Sequence, residues 1–233
     1  MPRIFLSAEW RRLAIVSYDV DPSLLDEHLP PDCVADVRDG RAYVSLVPFE
    51  FVNTRVLGIC WPGFTSFPEI NLRAYVRHKD GRHGVTFIRE FVPQKLVAAI
   101  ARWSYNEPYM AVPMRTRVLE SDVSIEVDHI VTVADRTRRI RTNATKPLWM
   151  PDENSMDHFF KEHEWGFGKS KRGAPLSYRV QHPRWRVYRE PRVLLEEWNF
   201  ADVYGPKWSL LNDQNPMSVL LTEGSKVTVS ARI

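Results

Sequence analysis

Cysteine is scarce in this chain: Cys33 and Cys60 are the only two in 233 residues. They form no C-x-x-C unit, so a disulfide framework and a thiolate metal site are not expected, and two free thiols in a reducing cytoplasm are. No apolar run approaches the roughly 20 residues that span a bilayer, and the N-terminus lacks the long apolar segment of a secretory signal. A cytoplasmic location without a membrane partner is therefore expected. Glycine is also sparse, at 10 residues, and none follows a phosphate-cradling loop pattern. The histidines lack ligand spacing: in HFFKEH, His158 and Glu162 share a helical face but His158 and His163 do not. Neither a metal nor another cofactor is called for. A net charge of +3 is small, and the basic cluster Arg136 to Arg141 has no interleaved aromatics. It reads as a solvated hairpin, with no nucleic-acid partner expected.

What is present suits one sizeable core. The composition is 44% apolar without a Pro/Gly/Ser tract or charge block to mark a boundary, so a single domain over residues 1–233 is expected. Short strands dominate, separated by turns such as Asp39-Gly40, Asp80-Gly81 and Glu223-Gly224. Residues 42–47 alternate as a half-buried strand does. Ile70, Leu72, Ala74 and Val76 oppose Asn71, Arg73, Tyr75 and Arg77, and the Asp80-Gly81 turn joins this strand to residues 85–91 as a hairpin. Further strands are expected at 121–133, 136–142, 176–182, 193–200 and 226–230. A short helix over 21–27, one starting at Pro93 with an apolar stripe of Leu96, Val97, Ile100, Ala101 and Trp103, and one over 154–163 complete the reading. EHEWGFG, residues 162–168, reads as a tight turn. Helices are too few for βαβ repeats, which leaves an α+β or β-barrel-like fold.

The chemistry is concentrated between Phe67 and Trp103, where Glu69, Arg73, Arg89, Glu90, Gln94 and Lys95 interrupt core sequence. On a regular strand Arg89 shares a face with Val85 and Phe87, and Glu90 shares the other with Thr86 and Ile88. Both faces carry apolar neighbours, so at least one charge requires a partner. The set reads equally as a polar network around a ligand and as a structural ion-pair network. Lys95, in the first turn of a helix, meets the positive end of the dipole, which favours a neutral amine; the other reading is an ordinary surface lysine. Tyr18 and Tyr75 are potential donors to a bound carbonyl, and packing alone accounts for both.

The ordered pieces DGRAYVSLVPF, FPEINLRAYV, GVTFIREFVPQKLVAAIAR, EPYMAVPM, EHEWGFG, VQHPRW and SVLLTEGSKVTV resemble the YqjF-like family, within the acetoacetate decarboxylase-like superfamily. The resemblance covers nearly the whole chain. It implies an α+β fold built on a β-barrel or cone-shaped antiparallel sheet, with an internal cavity and a few outer helices. The superfamily enzyme, in which a neighbouring cation activates an amine, carries a Pro-Lys-Lys run after an Arg-Glu pair. Here Arg89-Glu90 is followed by Pro93-Gln94-Lys95, so Gln94 falls on the nucleophile and Lys95 on the lysine that tunes it. Gln94 forms no imine. Glu69 resembles the enzyme's cavity glutamate, and Arg11 or Arg12 loosely matches its N-terminal arginine.

The expected partner is a small organic acid or carbonyl compound in the cavity, held by Arg73, Arg89, Glu90, Gln94 and Tyr75, in a binding module or an enzyme of unassigned reaction. One alternative is a Schiff-base decarboxylase, aldolase or dehydratase using Lys95 with Glu69. Another is a structural or interaction domain with a filled barrel. No repeat or coiled-coil pattern fixes the oligomeric state, and a homo-oligomer stays open.

Overall fold

The structure is a computed structural model that describes residues 3–233. Its strands are β1 (Ile4–Val20), β2 (Cys33–Ala35), β3 (Ala42–Val56), β4 (Phe67–His78), β5 (His83–Val92), β6 (Tyr109–Ala111), β7 (Met114–Glu120), β8 (Ser124–Val133), β9 (Arg136–Trp149), β10 (Trp165–Lys169), β11 (Pro175–Gln181), β12 (Val187–Glu196) and β13 (Ser218–Ser230). The helices are α1 (Lys95–Tyr105), α2 (Met156–Lys161) and α3 (Phe200–Tyr204), with 3-10 segments at Pro22–His28 and Pro206–Leu211. This mostly-sheet architecture with few helices agrees with the α+β reading.

Strand order explains where space is left inside. The path β1-β3-β4-β5-β10-β11-β13 returns to β1 through an antiparallel pairing, so these strands form a closed ring. The ring is pinned loosely where β10 meets β5, in parallel, through Gly166 and Val85. Beyond β13 the sheet continues through β12, β9 and β8 to β7. The largest apolar core joins outward-facing Val16, Leu46, Leu72 and Phe91 to Val131 and Ile140 of the β8–β9 hairpin and to Trp208.

The alternation of β4 sets the two faces as the sequence predicts. Ile70, Leu72 and Ala74 enter that outer core, whereas Glu69, Asn71 and Arg73 point into the ring. The β4–β5 hairpin forms as expected, but its ladder slips between the pairs Leu72–Arg89 and Arg73–Phe87, leaving Ile88 as an extra residue. Such a bulge re-aims the side chains beyond it. Ile88 joins the outer core with Phe91, while Glu90 follows Val85 and Phe87 into the ring interior. The regular alternation expected of β5 is therefore broken at this point.

Other boundaries differ from the sequence reading. The long β1 has no predicted counterpart. Helix α1 starts at Lys95, with extended Gln94 as an N-cap whose side chain makes no capping bond, so Pro93 lies outside it. Its apolar stripe is not sheet-packed throughout: Ala98 and Tyr105 are buried, but Leu96 is 50% and Trp103 76% exposed. Residues 165–169 form β10 rather than a turn. Phe200 begins α3 instead of ending a strand. The basic hairpin forms at Ala134–Asp135, although Arg138 within it is buried and donates to the Val133 carbonyl at 2.5 Å. Among the described residues no helix is long and apolar enough to cross a membrane.

Candidate functional site

A cavity of about 380 Å³ occupies the ring interior, and every strand of the ring contributes to its wall. Most of that wall is apolar, including Trp10, Phe49, Phe51, Phe87 and Val229. Helix α1 covers one side through Leu96, Val97, Ile100 and Ala101, and Trp61 and Phe64 approach from the β3–β4 loop. Leu96, Ile100 and Trp61 are substantially exposed, so this part of the wall borders solvent.

The polar groups form a compact row. In the ladder, Asn71 of β4 faces Glu90 of β5, and Glu90 faces Tyr109 of β6. Asn71 Nδ2 donates to Glu69 Oε1 at 3.1 Å, and the Tyr109 hydroxyl donates to Glu69 Oε2 at 2.9 Å. Glu107 follows Asn106, a left-handed residue with φ 55° that ends α1 and turns the chain back to the sheet. Its carboxylate accepts from the Tyr178 hydroxyl on β11. Tyr178 is placed by Gly166, its partner in the β10–β11 ladder, because a Cβ on that glycine lies 2.2 Å from the tyrosine ring.

Burial raises the proton affinity of all three carboxyls. Glu69 is raised by desolvation, opposed by the Asn71 and Tyr109 hydrogen bonds. Glu107 is raised by desolvation, opposed by Tyr178. Glu90 is raised well above the ordinary carboxylate range, first by desolvation and then by the charges of Glu107 and Glu69. Glu90 is 1% exposed, and its Oε1 has no hydrogen-bond partner among the described residues. The three groups interact and titrate as one set. Asn71 also presents a buried Oδ1 without a partner to the cavity.

Arg73 and His163 supply a second polar region. One Arg73 nitrogen donates to the Phe160 carbonyl at 2.8 Å, while its Nε is buried without a partner. Arg73 makes no ion pair among the described residues. His163 packs on Tyr75 with ring centroids 5.0 Å apart, and burial lowers its pKa to about 3, with the Arg73 charge acting the same way.

Of the residues singled out in the sequence, Glu69, Arg73 and Glu90 meet at the cavity. Tyr75 shares their strand face but lies outside the lining, its hydroxyl held by Ser45 at 2.6 Å and by the Phe160 carbonyl at 3.2 Å. The bulge turns Arg89 outward to the Val203 carbonyl. Gln94 caps α1 outside the cavity wall, and Lys95 is exposed and outside it as well. Arg11 and Arg12 pair with Glu9 and Glu50 instead of entering the cavity. Glu107, Tyr109, Tyr178 and His163 belong to the wall although the sequence did not mark them as site residues. A lone glutamate between a helix end and Pro108 was the available signal for the first.

Known proteins share this architecture. The profile of the DUF2071 family, described as an uncharacterized conserved protein, matches residues 7–226. The uncharacterized protein YqjF of Bacillus subtilis (strain 168) is 24% identical over 225 residues, covering 94% of this chain and 81% of YqjF. The crystal structure of acetoacetate decarboxylase from Legionella pneumophila superposes with a TM-score of 0.67 at 16% identity, over 99% of this chain and 87% of that one. The enduracididine biosynthesis enzyme MppR, complexed with pyruvate, gives 0.63 at 13% identity, over 99% and 89%. Such identities establish a common fold.

Proposed function

The chain belongs to the DUF2071 family, and we propose that its ring interior binds a small, largely apolar organic acid or carbonyl compound. The observation that carries this reading is the cavity itself. Its volume of about 380 Å³ falls within the roughly 300–1,000 Å³ of small-molecule sites, and its apolar wall converges on a few polar groups as such sites do. The buried, unpartnered atoms of Arg73, Asn71 and Glu90 then acquire partners from the ligand instead of remaining orphaned. Arg73 receives a carboxylate, and the protonated member of the glutamate set donates to a carbonyl oxygen.

A related protein binding pyruvate in the same fold supports the ligand class. Nothing in the placement of Lys95 supports an imine there. The open volume also favours a ligand over the filled-ring alternative.

Isothermal titration with hexanoate, 2-oxooctanoate and 2-octanone tests the proposal. Saturable binding is expected for at least one compound, with affinity reduced at least tenfold by Ala101→Trp, which fills the wall of α1. Absence of binding across the set, or binding unaffected by that substitution, counts against the cavity as the site.

A further inference from the structure

We propose that the Glu69–Glu90–Glu107 set performs proton transfer on the bound carbonyl compound, enolising it without a covalent enzyme intermediate. This deepens the ligand reading above and rests on it. Two independent observations accompany the carboxyl cluster: a largely apolar cavity in the ring interior, and the buried Asn71 Oδ1 that faces it without a partner among the described residues.

The composition of the wall narrows the chemistry. No lysine, cysteine or serine lines the cavity among the described residues, and its aliphatic hydroxyl is that of Thr54, so an imine-forming amine and a thiolate are missing from it. Its remaining titratable groups are Glu69, Glu90, Glu107, His163, Arg73 and Tyr105, Tyr109 and Tyr178. His163 is held neutral by burial. The carboxyls are left as the groups able to exchange protons near neutral pH.

Their hydrogen bonds divide the labour. Glu69 accepts from both Asn71 and Tyr109, which favours its anion. Glu90 has neighbouring carboxylates and no donor to Oε1, which favours its acid. As the Glu69 carboxylate removes a proton from the carbon next to the carbonyl, the C–H pair becomes the enol double bond. The carbonyl π pair meanwhile takes the proton held by Glu90. Glu69 is then protonated and Glu90 ionised, so the set holds the same number of protons throughout. Reversal returns a hydrogen to carbon, and exchange of the Glu69 proton with solvent makes that hydrogen solvent-derived. No oxidant or reductant is required. Asn71 and Tyr109 orient Glu69, and Tyr178 does the same for Glu107.

The experiment measures hydrogen–deuterium exchange at C3 of 2-oxooctanoate and at C1 and C3 of 2-octanone in D2O by NMR, beside titration of the same compounds. Exchange at least 100-fold above buffer is expected for a bound probe. Glu69→Gln should lower it at least 100-fold while changing binding less than threefold, and Glu90→Gln should slow it at least tenfold. Glu69→Asp retains the carboxylate and should retain part of the rate, which separates loss of the base from loss of folding. Lys95→Ala should exchange as the parent does. Binding without exchange overturns proton transfer and leaves the ligand reading intact, whereas absence of binding overturns both. Exchange that survives Glu69→Gln overturns the assignment of the base.

Discussion

Glu90 stands opposite Asn71 in the β4–β5 ladder, two residues beyond the bulge at Ile88. That irregularity directs a carboxyl to the cavity and a guanidinium, Arg89, to the Val203 carbonyl outside it. A strictly alternating strand reverses the two, placing a cation beside Arg73 and removing the centre of the glutamate row. The site thus depends on one inserted backbone step as much as on residue identity.

Stability should decline toward alkaline pH. Desolvation raises all three glutamates, so the folded chain retains protons that the unfolded chain releases. Their contribution is fully present below the unfolded value of 4.5 and is lost as pH rises through the folded values, which are about 7 for Glu69 and about 8 for Glu107. Buried His163 acts oppositely: its pKa falls from 6.5 to about 3, so its contribution is lost as pH decreases through that interval. Urea unfolding at pH 6, 7.5 and 9 should show a loss on the alkaline side that Glu90→Gln reduces, because the variant removes one of the buried groups that must give up a proton there. An unchanged slope in the variant contradicts this account.

Gly166→Ala should be destabilising by about 1–3 kcal/mol, the usual range for overpacking. The added Cβ meets the Tyr178 ring at 2.2 Å, and the backbone on both sides is fixed in the β10–β11 ladder. Displacement of Tyr178 also removes the donor to Glu107. In a double-mutant cycle by urea unfolding, Tyr178→Ala should relieve most of the added cost. Strict additivity of the two substitutions rules out the proposed contact.

The legible part of this molecule is its regular part. The opposed faces of Ile70–Val76 separate core from cavity, and Glu69 and Arg73 follow from that pattern. Residues 4–20 concealed their strand because Trp10-Arg11-Arg12 interrupts the apolar run, and Arg12 takes a left-handed φ of 54° where the β1–β3 register shifts. Glu90 was recognisable as a residue requiring a partner, but the bulge that aims it has no signature in apolar alternation. Glu107, Tyr109 and Tyr178 reach the site through parallel pairing and ring closure, contacts between segments far apart in sequence. Local periodicity carries no information about such pairings.

Arg73 should discriminate acids from neutral ketones. Among the described residues its guanidinium lines the cavity with no carboxylate partner and with an unpartnered Nε, whereas planar carboxylates suit its donor fork. Arg73→Gln should weaken 2-oxooctanoate binding at least tenfold and change 2-octanone binding less than threefold in parallel titrations. Equal losses for both compounds point to a general disturbance of the floor formed with Phe160.

Lys95 should prove dispensable for carbonyl chemistry. It is the first residue of α1, follows the capping Gln94, and is exposed outside the cavity wall. Incubation with pyruvate or 2-oxooctanoate followed by borohydride should leave the mass of the Lys95-containing peptide unchanged, and Lys95→Ala should bind either acid within twofold of the parent. A reduced adduct specific to Lys95, lost in that variant, requires α1 to unwind and carry the amine inward. It thereby restores the imine reading that the folded geometry disfavours.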